Sequence, residues 1–147
     1  MGKRRKAREI AVQVLFHLEF NPGDPEEAFG LIKDNFNVYR SVREFSRILV
    51  KGVYENKAVI DAKISKASRN WKLERMPRLE RCILRLAVFE ILYIEDIPPK
   101  VSIDEAVELA KKFSGDESGG FVNGVLDNIY NAEIKEFKLP SGDTEKR

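Results

Sequence analysis

One cysteine and one histidine occur in 147 residues, and that scarcity excludes much chemistry. Cys82 has no partner for an intrachain disulfide, and Leu79, Ile83 and Leu86 surround it at helical spacing, so it reads as a small core residue rather than a reactive thiol. His17 is likewise alone, and a metal site built on His and Cys needs ligands the chain lacks. No metal or cofactor is expected. No apolar run reaches the roughly 18 residues of a membrane span, and the longest are broken by Arg85, Glu90 and Glu95. The start lacks the continuous apolar region and cleavage site of a secretory leader, so the cytoplasm is the expected location. Strand-like alternation, internal repeats and a Gly-rich phosphate loop are also missing.

What the chain holds is charge in near balance, 26 Lys and Arg against 24 Asp and Glu, for a net of +2. A hydrophobic share of 43% beside 34% charged residues suits a folded protein. One domain is sufficient at this length, burying roughly 68–70% of the unfolded surface. The charge is unevenly placed. Within residues 1–20, Lys3, Arg4, Arg5, Lys6 and Arg8 face only Glu9 and Glu19, so a positive field is confined to the start. The run leads directly into Ala7, Ile10, Ala11, Val14, Leu15 and Leu18, which puts the cations on the first turns of a helix with an apolar stripe. Such a fixed cluster suits phosphate; the alternative is a solvated helix start.

Helical spacing accounts for almost everything else. Residues 4–20 form the first helix, ended by Asn21-Pro22-Gly23. Asp24-Pro25-Glu26-Glu27 supplies a cap, a proline at the first helical position and an acid at the third, with Ala28, Phe29, Ile32 and Phe36 as the buried face. Ser41 to Glu44 reads as a second capping box before Phe45, Ile48, Leu49 and Val53, and Gly52 marks a close packing contact or a bend. The pattern resumes at Val59, Ile60, Ile64 and Ala67, with Trp71 beyond as a core anchor. From Arg78 the chain is apolar on most of its circumference through Ile94, as expected of a helix packed on all sides. Pro98-Pro99 ends that region, and Ser102 to Glu105 reads as a third capping box before Ala106, Val107, Ala110 and Phe113. A loop over 114–120 precedes a last helix carrying Phe121, Val122, Val125, Leu126 and Ile129, in which Gly124 would admit a neighbouring helix. The expected fold is all-α, a single-domain bundle of about seven helices over residues 1–132, with 133–147 as a frayed tail.

Glu27, Glu44 and Glu105 are explained as capping partners, and no nucleophile, paired histidine or cofactor motif remains. A binding module, not an enzyme, is the expectation. Four blocks then carry a specific likeness: Arg4-Arg5-Lys6-Ala7-Arg8-Glu9 with Ala11-Val12-Gln13 and Leu15-Phe16; Arg81 to Leu92; Asp96 to Lys111; and Phe121-Val122-Asn123-Gly124-Val125-Leu126-Asp127. In this order they closely resemble the NusB family of bacterial transcription antitermination factors.

The resemblance implies a seven-helix protein that binds the single-stranded boxA segment of ribosomal RNA leader transcripts together with NusE, a small-subunit ribosomal protein. The pair would join other Nus factors on RNA polymerase and promote read-through, with no reaction catalysed. Lys3, Arg4, Arg5, Lys6 and Arg8 would meet the RNA backbone, Arg above Lys because its flat fork holds phosphate bidentately or stacks on a base. The second RNA-facing element would be the segment holding Glu117, Ser118 and Gly120 with Phe121, the ring stacking on a base or else joining the core. Gly119-Gly120 stands where some relatives have a basic residue before the Phe, so the resemblance does not carry a phosphate contact over to that point. Glu117 would accept from a base edge or hold the loop. NusE would lie against Phe16, Glu80 and Arg85, the alternative for Arg78, Arg81 and Arg85 being pairing with internal carboxylates such as Glu90. Reversal of Arg4 and Arg5 to Glu is expected to abolish RNA binding with melting almost unchanged. Two other readings are a homodimer through the first helix and the helical module that precedes ribosomal RNA cytosine methyltransferases, for whose catalytic part 147 residues leave no room.

Overall fold

The computed structural model describes residues 2–33, 39–68 and 72–134, and among these lie seven α-helices and no strand. They are α1 (Gly2–Phe20), α2 (Pro25–Lys33), α3 (Arg40–Glu55), α4 (Lys57–Ala67), α5 (Arg78–Tyr93), α6 (Pro99–Ser114) and α7 (Asp116–Ile129). A 3-10 turn at Leu73–Arg75 precedes α5, and a π-helical turn at Tyr130–Ile134 follows α7. Trp71, Phe36 and nearly all of the expected tail lie outside the described residues. Among the described residues no helix is long and apolar enough to cross a membrane.

α5 is the core helix that its all-round apolarity predicts. Every residue from Cys82 to Ile91 is buried, and α5 packs against α1, α3, α4, α6 and α7. Each fully buried Leu, Ile or Val contributes roughly 1.5–3 kcal/mol, so this helix organises the hydrophobic burial of the bundle. Two of its buried residues are ionic and need partners. Arg85 donates to both oxygens of Asp61 on α4 at 2.7 and 3.1 Å and to Glu19 on α1 at 2.9 Å. Glu90 accepts twice from Arg8 on α1, at 2.7 and 2.9 Å, and once from the hydroxyl of Ser102 on α6, at 2.8 Å. Burial also pushes the Cys82 thiol up to about 12, so it stays protonated and inert.

Local signals succeed where a backbone constraint supports them. Asp24 accepts from the Glu26 amide at 3.2 Å, and Pro25 opens α2 with its φ already helical. The other two capping boxes do not form. α3 begins at Arg40, so Ser41 is already helical, and α6 begins at Pro99, three residues before Ser102. With the helix started by proline, the Ser102 hydroxyl is free to serve Glu90, and Glu105 accepts from Arg5 instead of from a backbone amide. Ile48 and Val59, placed on apolar stripes by their spacing, are exposed.

Gly52 is a close approach, as expected. A Cβ there would run into the ring of Phe89, which is buried on α5. Gly52→Ala is therefore expected to destabilise the fold by about 1–3 kcal/mol through overpacking, measurable as a lower urea midpoint at unchanged slope. The expected loop over 114–120 shrinks to one residue: Gly115 takes φ 102°, a conformation that costs glycine little, and α7 starts immediately after it. Gly124 admits no helix, since a Cβ there would meet nothing within 4 Å.

Candidate nucleic-acid interface

The basic start of α1 divides between inward and outward side chains. Residues 4 and 8 lie about one turn apart on a helix and residue 5 about 100° round from residue 4, so the three spread from solvent towards α5 and α6. Arg8 points inward. It is 4% exposed and forks onto Glu90, with Glu105 3.7 Å away. A buried guanidinium with a bidentate carboxylate cannot meet a transcript, so its expected phosphate role is corrected to a structural one. Arg5 is half exposed and forks onto Glu105 at 2.9 and 2.8 Å. Of the five N–H groups of a guanidinium, two are used there, and the remainder are available to a ligand.

Arg4 lies over the Phe45 ring at 4.4 Å and 3.6 Å from Asp96, while Lys3 sits 4.9 Å from the centre of the Tyr39 ring. Both are exposed, and ion pairs or ring contacts of this kind hold a cation in position at a worth of about 1 kcal/mol or less. Lys6 bonds Glu9 at 3.2 Å, and Glu9 in turn accepts from Lys112 of α6 at 2.8 Å. Burial would raise the Glu9 carboxyl, but hydrogen bonds from Lys112 and Lys6 outweigh it and hold the group below its ordinary value. The hydrogen bonds from Arg5 depress Glu105 in the same way, against the effect of burial.

Nothing in the sequence around Lys112 marks it, because its neighbours spell an ordinary helix end. Its signal is spatial: Glu9 brings it beside Lys6. The preceding Lys111 lays its side chain across Gly119, where a Cβ would come within 2.7 Å of it. The corner between α6 and α7 thus adjoins the basic start of α1. At that corner Glu117 and Gly120 are exposed and Phe121 is half buried, packed against the core. Ser118 departs from expectation: it is buried, and its hydroxyl donates to Glu80 at 2.8 Å. It ties the start of α7 to α5.

The expected partner surface divides too. Arg85 is buried between Asp61 and Glu19, so it is structural and its partners are not the expected Glu90. Glu80 is half buried and engaged with Ser118. Phe16 is half buried and meets Phe20 edge to face at 5.0 Å, and Arg78 stacks over Phe20 at 4.8 Å. Phe20, 55% exposed, was missed because it lies at the last position of its helix, beyond the apolar stripe.

Reversing Arg5 to Glu would set two carboxylates against each other at Glu105, which is 4% exposed. Melting is therefore expected to fall on that reversal, not to stay almost unchanged. Neutralisation is the cleaner probe. Lys112→Gln is expected to flatten the salt dependence of RNA binding by about 0.7 in slope, the share of one single-strand phosphate contact. A modest fall in melting temperature would accompany it, because Glu9, 7% exposed, then keeps only the bond from Lys6, and an unchanged slope would remove Lys112 from the interface.

Comparison with known proteins agrees with this architecture. Residues 5–131 match the model of the NusB family. The chain is 47% identical over 126 residues to the transcription antitermination protein NusB of Pelotomaculum thermopropionicum, covering 86% of this chain and 88% of that one. It is 48% identical to NusB of Oceanobacillus iheyensis, with 86% and 97% covered. Among solved structures it superposes on T. maritima NusB with a TM-score of 0.81 at 37% identity, covering 91% and 95%. A crystal structure of the antitermination factors NusB and NusE in complex with dsRNA matches with a TM-score of 0.83 at 31% identity, covering 90% and 98%. By sequence over nearly its whole described length, and by the packing of its seven helices, the chain belongs to the NusB family.

Proposed function

We propose that the protein is a transcription antitermination factor that binds boxA RNA of ribosomal RNA leader transcripts together with NusE and promotes read-through by RNA polymerase in the cytoplasm. It works by binding alone, with no bond made or broken. The observation that carries the RNA part is the sharing of Glu9 by Lys6 and Lys112, which joins the cations of α1 to the corner holding Glu117, Gly120 and Phe121. Lys3, Arg4, Arg5 and Lys6 then meet the backbone, with Lys112 extending them, and Phe121 offers a ring edge to a base. Arg8 supports the site from within. The family likeness to proteins named for antitermination, and to a NusB solved with NusE and RNA, supports the partner and the process.

The test is a titration of labelled boxA RNA and a scrambled RNA of equal length, with and without NusE. If about four phosphates are met, affinity is expected to fall roughly 50-fold between 50 and 200 mM salt. Binding that ignores salt, or that treats both RNAs alike when NusE is present, would defeat the reading.

A further inference from the structure

The groups left without internal work lie elsewhere than on α1. Between the start of α6 and the end of α7 runs a groove of about 530 Å³, lined by Lys100, Asp104, Asn123, Asp127, Tyr130 and Asn131 among others. No side-chain hydrogen bond or ion pair among the described residues engages any of these six. The cations of α1, by contrast, all have a carboxylate or a ring beside them. Along α7, Gly120, Asn123, Gly124 and Asp127 recur at spacings of three and four, so they share one face, and all four are exposed. Glycine inside a helix costs about 1 kcal/mol relative to alanine, yet a Cβ at Gly120 or Gly124 would meet nothing within 4 Å. Internal packing does not require these glycines. They leave the backbone of this face open to close approach from outside the chain.

The stripe begins at Gly120, inside the proposed RNA site, and runs about 10 Å to Asp127 at the helical rise, which is a reach of one or two nucleotides. One lysine against two aspartates makes the groove acidic, so it repels phosphate and favours hydrogen-bond donors. A carboxylate accepts from exocyclic amines, a carboxamide pairs with an adenine edge, and a tyrosine ring stacks on any base. Resting on the RNA-binding reading above, we infer that this groove is a base-reading subsite: it takes an unpaired, amino-bearing base of the bound strand, read by Asp127 and Asn123, and it discriminates against uracil.

The test compares an all-uracil 12-mer with the same 12-mer carrying adenine, cytosine or guanine at successive single positions, by fluorescence anisotropy with the full chain. The parent is expected to prefer at least one amino-bearing RNA by about fivefold or more. Asp127→Asn with Asn123→Ala is expected to erase that preference, with all-uracil affinity no weaker than that of the parent because one negative charge has left the groove. Gly124→Leu, which adds bulk into open space without a clash, is expected to weaken binding of the preferred RNA about tenfold with a melting temperature no lower than that of the parent. Equal parental affinity for all RNAs would overturn the subsite while leaving RNA binding intact, and failure of every RNA to bind would overturn the wider function instead. Full RNA affinity in Gly124→Leu would overturn the inference and assign the stripe to a protein partner.

Discussion

Arg8→Ala is expected to cost the fold about 3–5 kcal/mol, the toll of leaving a buried charge without its counter-ion. The side chains of Arg8 and Glu90 are 4% and 1% exposed, and the pair is bidentate. With Arg8 removed, Glu90 keeps only the hydroxyl of Ser102, too little to hold a carboxylate in the centre of the bundle. Urea unfolding of Arg8→Ala, Glu90→Ala and the pair Arg8→Met with Glu90→Leu resolves the mechanism. Each single change is expected to lose several kcal/mol, whereas the apolar pair recovers most of it, because no lone charge remains. A parental midpoint for Arg8→Ala would show that the arginine is a surface group after all. RNA affinity of the apolar pair provides a second reading, expected to be near that of the parent.

Joint replacement of Arg4 by Glu and Arg5 by Gln is expected to halve the number of phosphate contacts, from about four to about two. The logarithmic salt slope then falls from about −2.8 to about −1.4. Between 50 and 200 mM salt, affinity would change about sevenfold instead of roughly 50-fold. Glutamine is chosen at 5 because Glu105 is already there, and its bonds from Arg5 are the largest influence on its acidity. The sign of the pH effect follows. A carboxyl held below its ordinary value of 4.5 in the folded state adds stability above that value and loses it as pH falls through the lowered one. Losing Arg5 lets the Glu105 value rise, so the double variant is less stable at neutral pH and shows a shallower loss of stability on acidification below pH 4.5. Thermal melts at pH 7 and in that acid range, beside binding at two salt concentrations, check both halves; parallel melts with an unchanged slope would remove Arg4 and Arg5 from the site.

Helix existence was legible because apolar spacing is a property of the chain itself. Cys82 to Ile91 could only be a helix packed on all sides, and it is. Caps were less legible: Ser41 and Ser102 have the right neighbours three residues on, but the decision lies with Tyr39, Pro98 and Pro99 upstream. The basic run was legible as a set, whereas its division was not. Nothing local separates Arg5 from Arg8, because what separates them is the position of Glu105 and Glu90, which lie 100 and 82 residues away from them in sequence. Lys112 was hidden for the same reason, since its meaning depends on a carboxylate in α1. Phe121 was left open between core and ligand, and it is half buried and packed against the core.

Glu9 sits between two ammonium groups, those of Lys6 and Lys112. Two positive charges and one negative leave a surplus of one, which is the charge a single phosphodiester brings. An arriving nucleotide completes a neutral quartet instead of building an excess of either sign. The carboxylate meanwhile keeps the two lysines from repelling each other before the strand arrives.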